Sequence, residues 1–528
     1  MQNDVLQNGT GGPVSRRESA DSAVVSTADG DVRGCVADGI SIFRGIPYGA
    51  PTSGANRFRS PQPPEPWTGV RTCRQYGESA PQGRTWLAEG GFEGNRPDIG
   101  EDCLVLNVWT PGPDDARRPV LVWLHGGGFE AGTGSSMLYD GTNVARRGDV
   151  IVVTLNHRLG VMGHLHLADL LGDEFTGSAN AGFLDIVAAL RWVRTNIGAF
   201  GGDAGNVTIF GQSGGGRKVS LATAAGSAEG LFHRGIVQSG SQLRLVGRAR
   251  ADELARRLLD QLAIPHADAR RLQELPMVDV LRAARKVGRR YAPTMDDVVF
   301  DRHPWEPDAP PPAFGVPMMI GTCRTELSNQ IGTIDPTTFD ITDHGLVGRL
   351  QPFLDGDDVH EAIRLARKAS PSASAAEVYF TVATDLTYWR DSVVQTERKA
   401  AQAAAGGAPV WSYQLTWRTP IEGGRRITPH STDLPFVFDN IARAEHMVGP
   451  PTEETARLTD AMCESWLAFA RSGDPGHPAA PVWRPYEFGS RTVMHFDVPS
   501  VAVEDPRAAT RALLDGYPTQ QLGRFLGG

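Results

Sequence analysis

Cysteine is scarce in this chain, and long apolar runs are missing. The five cysteines among 528 residues are an odd number, widely spaced and without a C-x-x-C pair, so they indicate neither a zinc site nor a disulfide framework. No apolar run approaches the ~18 residues that suggest a membrane span. These absences exclude a membrane-spanning protein and a small disulfide scaffold. We expect mostly reduced, partly buried thiols.

A basic face is also missing. The formal net charge is −9, and acidic and basic residues are well mixed, so the chain lacks the concentrated positive charge that binds a phosphate backbone. Nucleic acid is therefore not an expected partner. Residues 1–22 are polar, which predicts a disordered tail. Arg16 and Arg17 form a twin-arginine pair, but no apolar segment follows, so we expect no secretion signal and a cytoplasmic location.

Residues 23–528 show no convincing linker, charge block or repeat, which predicts a single domain. Short apolar runs alternate with helical patterns, and this alternation favours an α/β fold with a mostly parallel sheet covered on both faces. The predicted strands are 104–109, 119–124, 149–155, 207–210, 235–238 and 317–321. The predicted helices are 183–197, 250–287 and 456–471.

The only G-x-S-x-G sequence in the chain lies at residues 211–215 and places Ser213 at its centre. An apolar strand enters this motif and a helix-compatible stretch leaves it, which is the context that a nucleophile elbow requires. Small flanking residues are needed there because the strand and the helix approach each other closely. The context favours a nucleophilic serine over a glycine-rich turn with a bystander serine.

A second glycine-rich segment, His125-Gly-Gly-Gly128, follows the predicted strand 119–124. Its glycines can turn backbone N–H groups into a cavity, which is typical of an oxyanion hole that binds the negative oxygen of an acyl-transfer intermediate. A dinucleotide-binding interpretation of Gly126-x-Gly128-x-x-Ala131 is weaker, because the next stretch is loop-like and Asp149 precedes its strand.

The serine needs a base and an acid from later in the chain. Glu326 is the best-placed carboxylate because it follows the predicted strand 317–321 by a short loop, and His430 lies in a polar loop before an apolar run. Composition leaves both choices open. Other downstream histidines are His303, His344, His360, His446 and His477.

Over residues 30–500 the chain resembles the type-B carboxylesterase family, which includes carboxylesterases and cholinesterases. The resemblance rests on the local patterns FRGIPYGAP (43–51), EDCLVLNVW (101–109), FGGDAGN followed by VTIFGQSGG (200–215), GTCRTE (321–326) and HSTDLPFVF (430–438). It implies an α/β-hydrolase fold with long loop and helix insertions over the active site.

The resemblance also implies roles for particular residues. It supports Glu326 as the acid and His430 as the base, and it implies that the N–H groups of Gly127, Gly128 and Gly214 form the oxyanion hole. Ser239 matches a buried supporting serine of the family. No metal or organic cofactor is needed, and the protein could be a monomer or a homodimer.

Two departures from the family pattern, at Gln212 and at the partner of Cys103, change what we expect. Gln212 stands where most relatives carry Glu, so we predict little selectivity for choline esters. Cys103 is present, but its usual partner position is Ala80 and Cys73 is out of register, so we expect no disulfide. Arg217 and Lys218 follow the nucleophile, and we expect them on a solvated or ion-paired helix face.

These observations predict a serine carboxylesterase that hydrolyses an ester through an acyl-enzyme. An amide or aryl-carbamate hydrolase with the same three residues is the nearest alternative, because the same groups can attack all three bonds. A non-catalytic esterase-like binding domain is a more distant alternative, since all three expected catalytic residues are present.

Overall fold

A computed structural model of the protein describes residues 20–83, 98–288 and 290–525. Of the predicted tail, residues 1–19 lie outside the described residues. The predicted boundary at residue 22 is wrong, because a strand begins at Ala20 and its residues 20 and 21 pair with residues 36 and 35. Backbone pairing therefore orders a stretch whose polar composition resembles a tail. The single-domain division stays a prediction.

Within the described ranges, thirteen strands form one large sheet. In chain order, the strands of this sheet and of a separate two-stranded parallel sheet (β10 with β11) are β1 (Ala20–Thr27), β2 (Gly30–Ala37), β3 (Ile40–Pro47), β4 (Val70–Thr72), β5 (Val105–Thr110), β6 (Arg118–Leu124), β7 (Ile151–Leu155), β8 (Gly202–Gln212), β9 (Arg234–Gln238), β10 (Val246–Gly247), β11 (Thr294–Met295), β12 (Met318–Cys323), β13 (Val410–Leu415), β14 (Thr492–Phe496) and β15 (Val501–Glu504). All six predicted strands are confirmed.

The strand order in the large sheet is β1-β2-β3-β5-β7-β6-β8-β9-β12-β13-β14-β15, and β4 pairs with β2. The centre, from β7 to β14, is parallel, while antiparallel strands complete both edges. The predicted, mostly parallel α/β sheet is confirmed, and it has the α/β-hydrolase arrangement.

The α-helices lie between and beyond the strands. Their bounds are α1 (Thr142–Gly148), α2 (Gly160–His164), α3 (Ala168–Leu171), α4 (Ala181–Asn196), α5 (Gly214–Ala222), α6 (Arg248–Gln261), α7 (Met277–Val287), α8 (Leu327–Ile334), α9 (Asp343–Leu350), α10 (Asp358–Ala369), α11 (Ala375–Thr384), α12 (Arg390–Ala404), α13 (Leu434–Val437), α14 (Glu445–Val448), α15 (Glu453–Ser472), α16 (Ala508–Leu514) and α17 (Leu522–Phe525). Helices α4 and α15 confirm two predictions, and the stretch 250–287 divides into α6 and α7. Among the described residues, no helix has the length and apolarity to cross a membrane.

Successive side chains of β6 enter two different cores. Val120 and Val122 belong to the core that contains α4, whereas Leu121 and Trp123 belong to the core that contains α15. Because neighbouring side chains of a strand point to opposite faces, a strand buried on both faces reads as a continuous apolar run. The sequence PVLVWL is therefore apolar at every position because both faces of β6 are buried.

A buried ion pair fixes α4 to the loop that follows β7. Both side chains of Arg158 and Asp185 are at most 2% exposed, and the guanidinium of Arg158 donates to the two carboxylate oxygens at 2.8 and 2.6 Å. The Arg158 backbone N–H donates to the same carboxylate at 3.0 Å. This bidentate geometry satisfies charges that would otherwise be costly to bury.

Candidate active site

Ser213 lies in a sharp turn between β8 and α5. Its backbone has φ 59° and ψ −122°, a conformation that non-glycine residues rarely adopt and that costs about 1–3 kcal/mol. The carbonyl of Ser213 accepts a hydrogen bond from the N–H of Arg217 at 3.0 Å, so the strained residue opens the helix. The turn leaves the half-buried side chain at the carboxyl edge of the sheet, where α/β proteins bind ligands.

The two outer glycines of the motif touch each other across this turn. A Cβ atom on Gly211 would lie 2.5 Å from the carbonyl carbon of Gly215, closer than packing allows. A larger residue at Gly211 would therefore push β8 and α5 apart, and a Cβ on Gly215 would lie 1.9 Å from the carbonyl oxygen of Leu124 in β6. The expected strand–turn–helix elbow with close arms is present around Ser213.

His430 and Glu326 are in close contact in this site. Nδ1 of His430 lies 2.5 Å from Oε2 of Glu326, and the two side chains are 2% and 0% exposed. The second carboxylate oxygen, Oε1, accepts the backbone N–H of Cys323 at 2.7 Å. A carboxylate held on both oxygens fixes the ring orientation and keeps the proton on Nδ1, which leaves Nε2 as the basic nitrogen.

Hydrogen bonds join the loop of Glu326 to the loop of His430. The N–H of Thr325 donates to the carbonyl of Thr428 at 3.1 Å, and the N–H of Thr428 donates to Oγ1 of Thr325 at 2.9 Å. Asn329, on α8, donates from Nδ2 to the carbonyl of His430 at 2.9 Å. Residues about a hundred positions apart are thus held in one rigid unit.

The His430 ring also contacts the residue that precedes Ser213. Nε2 of Gln212 lies 3.1 Å from Nε2 of His430, and the Gln212 side chain is buried. The Ser213 hydroxyl has no hydrogen-bond partner among the described residues. In enzymes without bound substrate, catalytic hydrogen bonds are often long or poorly aligned and tighten when substrate binds.

The expected oxyanion donors come together from two segments. A Cβ atom on Gly214 would lie 2.4 Å from the backbone nitrogen of Gly128, so α5 begins against the loop that follows β6. Gly127 has φ 90°, which turns the chain there. In the described part of the chain, the N–H groups of Gly127, Gly128 and Gly214 have no acceptor. Free N–H groups at a helix start and in a glycine loop are suited to bind an anion.

Ser239 also lies where expected, at the end of β9. It is fully buried, its N–H donates to the carbonyl of Gly321 at 2.8 Å, and its Oγ has no partner in the described structure. The next residue, Gly240, packs against the backbone of Ser213, because a Cβ there would lie 2.2 Å from the Ser213 carbonyl oxygen. The segment after β9 therefore packs directly against the elbow through Gly240.

The structure adds two residues that the sequence did not identify. Tyr388, in a π-helical turn between α11 and α12, packs its ring 4.8 Å from the His430 ring and accepts a hydrogen bond from Gln330. Asp433 is buried and accepts from Gln238 at 2.7 Å, and burial raises its pKa to about 6. Asp433 lies inside the HSTDLPFVF pattern, so the sequence could have indicated that it lies near the site. Tyr388 lies in none of the family patterns, so the sequence contains no such indication.

The expectation for Lys218 is wrong. Its side chain is 1% exposed, and no carboxylate pairs with it within the described ranges. Nζ instead donates to the carbonyl of His125 at 2.8 Å. Helix α5 is wedged between the sheet and its neighbours, so a charged residue in its sequence does not mark a solvent face. Arg217 is half-buried.

The five cysteines are all buried free thiols, and Cys73 and Cys103 are not joined. Among the described residues, no group of three or more His, Cys, Asp or Glu side chains could hold a metal ion. The candidate site is therefore built from a serine, an imidazole, a carboxylate and backbone N–H groups.

Comparison with known proteins gives concordant matches. The sequence profile described as "Carboxylesterase family" matches residues 21–512. The chain is 34% identical to para-nitrobenzyl esterase of Bacillus subtilis over 93% of this chain and 98% of that one, and 34% identical to phenmedipham hydrolase of Pseudarthrobacter oxydans over 87% and 92%. The crystal structure of a Geobacillus stearothermophilus carboxylesterase superposes with a TM-score of 0.80 at 36% identity, covering 93% and 99% of the two chains.

The parallel sheet with a nucleophile elbow at its carboxyl edge defines an α/β-hydrolase. The chain belongs to the carboxylesterase family, as the resemblance predicted. It is accordingly a carboxylic ester hydrolase.

Proposed function

We propose that the protein cleaves carboxylic esters in two steps through an acyl-enzyme on Ser213, with His430 as base and Glu326 as its orienting acid. The observation that carries this proposal is the 2.5 Å contact between Nδ1 of His430 and Oε2 of Glu326, next to a serine in an elbow conformation. Among the described serines near the site, Ser239 and Ser431 also have positive φ, but both are buried, whereas Ser213 is partly exposed.

In the first step, Nε2 of His430 takes the proton of Ser213 as the hydroxyl oxygen attacks the ester carbonyl. Glu326 stabilises the imidazolium that forms and does not take its proton. The carbonyl oxygen becomes an oxyanion, held by the N–H groups of Gly127, Gly128 and Gly214. The C–O bond to the alcohol then breaks, and His430 gives its proton to the leaving oxygen.

The second step repeats this sequence with water. His430 removes a proton from water as its oxygen attacks the acyl carbon, the same N–H groups hold the second oxyanion, and the proton returns to the Ser213 oxygen as the acid leaves. Each oxyanion donor is worth about 3 kcal/mol of transition-state stabilisation in comparable enzymes.

The test compares hydrolysis of p-nitrophenyl esters of increasing acyl length by the wild type, Ser213→Ala and Ser239→Ala. Loss of the nucleophile is expected to lower kcat by about 10⁴-fold or more. Ser239 is a second serine near the elbow, fully buried, whose Oγ has no hydrogen-bond partner among the described residues, so its variant is expected to stay within about tenfold of the wild type. The wild type treated with an organophosphonate should gain the mass of one adduct, located on the peptide that contains Ser213.

Equal activity of Ser213→Ala and wild type would refute the nucleophile. The alternative bonds are tested on the same protein with p-nitroanilides and aryl carbamates of the same acyl groups. A higher kcat/KM for either class than for the esters would favour the amide or carbamate hydrolase. Inactivity on all three classes would favour a binding role.

A further inference from the structure

Lys218 is a buried lysine beside the proposed oxyanion hole, and the two-step mechanism does not use it. It lies on α5, one turn after the helix start, and its side chain is 1% exposed. Its amine donates to the carbonyl of His125 at 2.8 Å, which is the residue that begins the glycine loop. Burial, together with the charge of Arg217, lowers the pKa of Lys218 well below its ordinary value.

Burying the amine of Lys218 costs free energy, so a contact that compensates for it is expected. A buried amine loses its hydration, and an apolar side chain of similar length would fill the same volume without that loss. Within the described residues, no carboxylate neutralises Lys218. Among the described residues, its amine hydrogen-bonds to the His125 carbonyl alone, so the contribution of the amine lies in what that carbonyl anchors.

The anchored segment carries two of the three proposed oxyanion donors. Lys218 lies on the helix that carries the third. Gly127 and Gly128 follow His125 after one intervening residue, Gly126, whereas the third donor, Gly214, opens the helix that carries Lys218. The two segments meet backbone to backbone, because a Cβ on Gly215 would lie 1.9 Å from the carbonyl oxygen of Leu124. The hydrogen bond from Lys218 to the His125 carbonyl adds a side-chain link between the glycine loop and α5.

The side chain of His125 makes few other polar contacts that could hold the glycine loop in place. The His125 ring stacks on His157 with centroids 4.7 Å apart, and its Nδ1 contacts only the carbonyl of the adjacent Gly126. Its Nε2 has no partner in the described structure. Donors in an oxyanion hole must sit within about 2.7–3.1 Å of the developing charge, so a small slip of the loop would weaken two donors at once.

We propose that Lys218 is a positioning residue that fixes the glycine loop against the nucleophile helix and so sets the geometry of the oxyanion hole. This inference rests on the proposed function, because it assigns the N–H groups of Gly127, Gly128 and Gly214 to oxyanion binding. Lys218 itself touches neither substrate nor reacting atoms in this role.

The chain offers a matched control. Lys399, on α12, is also fully buried and also donates to backbone carbonyls, those of Ala313 at 2.6 Å and Phe314 at 3.1 Å, in a different part of the protein. Lys218→Met and Lys399→Met thus remove the same kind of contact. Both are expected to lower Tm, since each leaves buried carbonyls without a donor.

The distinguishing measurements are kcat, KM and the affinity for an alkyl trifluoromethyl ketone, which adds to a nucleophilic serine and places an oxyanion in the hole. Lys218→Met is expected to lower kcat by about 10- to 100-fold with KM within about threefold, and to weaken the ketone by the same factor as kcat/KM. Lys399→Met is expected to leave kcat and ketone affinity within about twofold, because its contact is remote from the donors.

Rates are divided by the number of sites that an organophosphonate labels, so partial unfolding does not count as lost catalysis. If Lys218→Met does not fold, Lys218→Gln keeps a shorter donor and should show a smaller loss in kcat at unchanged KM. Normal kcat and ketone affinity per labelled site in either Lys218 variant would overturn this proposal and leave the proposed function intact. Failure of the ketone to inhibit the wild type would instead refute the proposed function.

Discussion

Nδ1 of His430 and Oε2 of Glu326 lie 2.5 Å apart, with both side chains almost completely shielded from solvent. A carboxylate in this position stabilises an imidazolium more strongly than it would in water, because the surrounding protein screens the charges less. The pair is also held from outside by Cys323 N–H and Asn329 Nδ2. The proposed base is therefore oriented before substrate arrives, and its proposed acid partner can be tested directly.

Glu326→Gln should abolish most of the activity. The amide keeps the shape of the side chain but loses the charge that stabilises the imidazolium, and we expect kcat to fall by about 10³- to 10⁴-fold, the loss seen when a triad carboxylate becomes an amide. Asp433→Asn is the matched control, because it neutralises another buried carboxylate close to His430 and should cost at most about tenfold. Steady-state kinetics on one ester checks both variants; comparable losses would show that general charge, not the Glu326 contact, is required.

Gln212→Glu should move the acid side of the pH–rate profile. A carboxylate 3.1 Å from Nε2 of His430 would favour the imidazolium in the free enzyme, so the base would be lost at higher pH, by about one pH unit. The measurement is kcat/KM between pH 5 and 9 for this variant and for the exposed-site control Gln351→Glu. An unmoved profile would mean that the two side chains are not in contact in solution.

The neutral Gln212 also limits selectivity for cationic substrates. Without a carboxylate beside the nucleophile, the site lacks one charge that would attract a quaternary ammonium group. The wild type should hydrolyse acetylthiocholine and its neutral isostere, 3,3-dimethylbutyl thioacetate, with kcat/KM values within about tenfold. A large preference for the cation would contradict this expectation and point to other anionic or aromatic groups in the pocket.

Gly214→Ala should disrupt the oxyanion hole through a single methyl group. That Cβ would lie 2.1 Å from the carbonyl oxygen of Gly128, so the helix start and the glycine loop would have to separate. Losing the alignment of one donor costs about 10²- to 10³-fold in kcat. Gly226→Ala is a suitable control because no atom lies within 4 Å of its added Cβ. Wild-type kcat in Gly214→Ala would exclude this N–H from the mechanism.

The sequence predicts the parts of this site that are encoded locally. Ser213 and its elbow depend on consecutive residues, so a strand, a G-x-S-x-G turn and a helix suffice to find them. His430 and Glu326 are 104 positions apart, and their pairing is set by the order of β12 and β13 in the sheet. The family patterns selected Glu326 and His430 from the sequence. Composition alone could not distinguish His430 from several other histidines later in the chain than Ser213.

Other features depend on packing that no local pattern records. The charged pair Arg217-Lys218 reads as a solvent face, yet α5 is enclosed and Lys218 is buried against His125, 93 positions earlier. Tyr388 reaches His430 from a π-helical turn, where one extra residue per turn shifts the face of the helix. Burial of a polar side chain is decided by the neighbours of its element, so it becomes visible only with the tertiary structure.

A buried carboxyl group beyond the elbow predicts a pH-dependent stability. Asp391, on α12, is 8% exposed, its Oδ1 accepts the N–H of Gln520 at 2.8 Å, and burial raises its pKa to about 7. The charges of Arg217, Arg244 and Arg390 oppose this rise only in part. In the unfolded chain the same carboxyl group has a pKa of about 3.9, so the folded state binds a proton more tightly. Its contribution to stability is therefore complete below about pH 4 and is lost as the pH rises to about 7.

Asp391→Asn should remove this loss. The amide oxygen can still accept the Gln520 N–H but cannot ionise, so the variant should match the wild type near pH 4.5 and exceed it at pH 8 by up to about 4 kcal/mol, or several degrees in Tm. Thermal unfolding at both pH values, with the exposed-site variant Asp301→Asn as control, measures the difference. A Tm change that is the same at pH 4.5 and pH 8 would show that ionisation of Asp391 is not its cause, because only a titrating group produces a difference that grows across this interval.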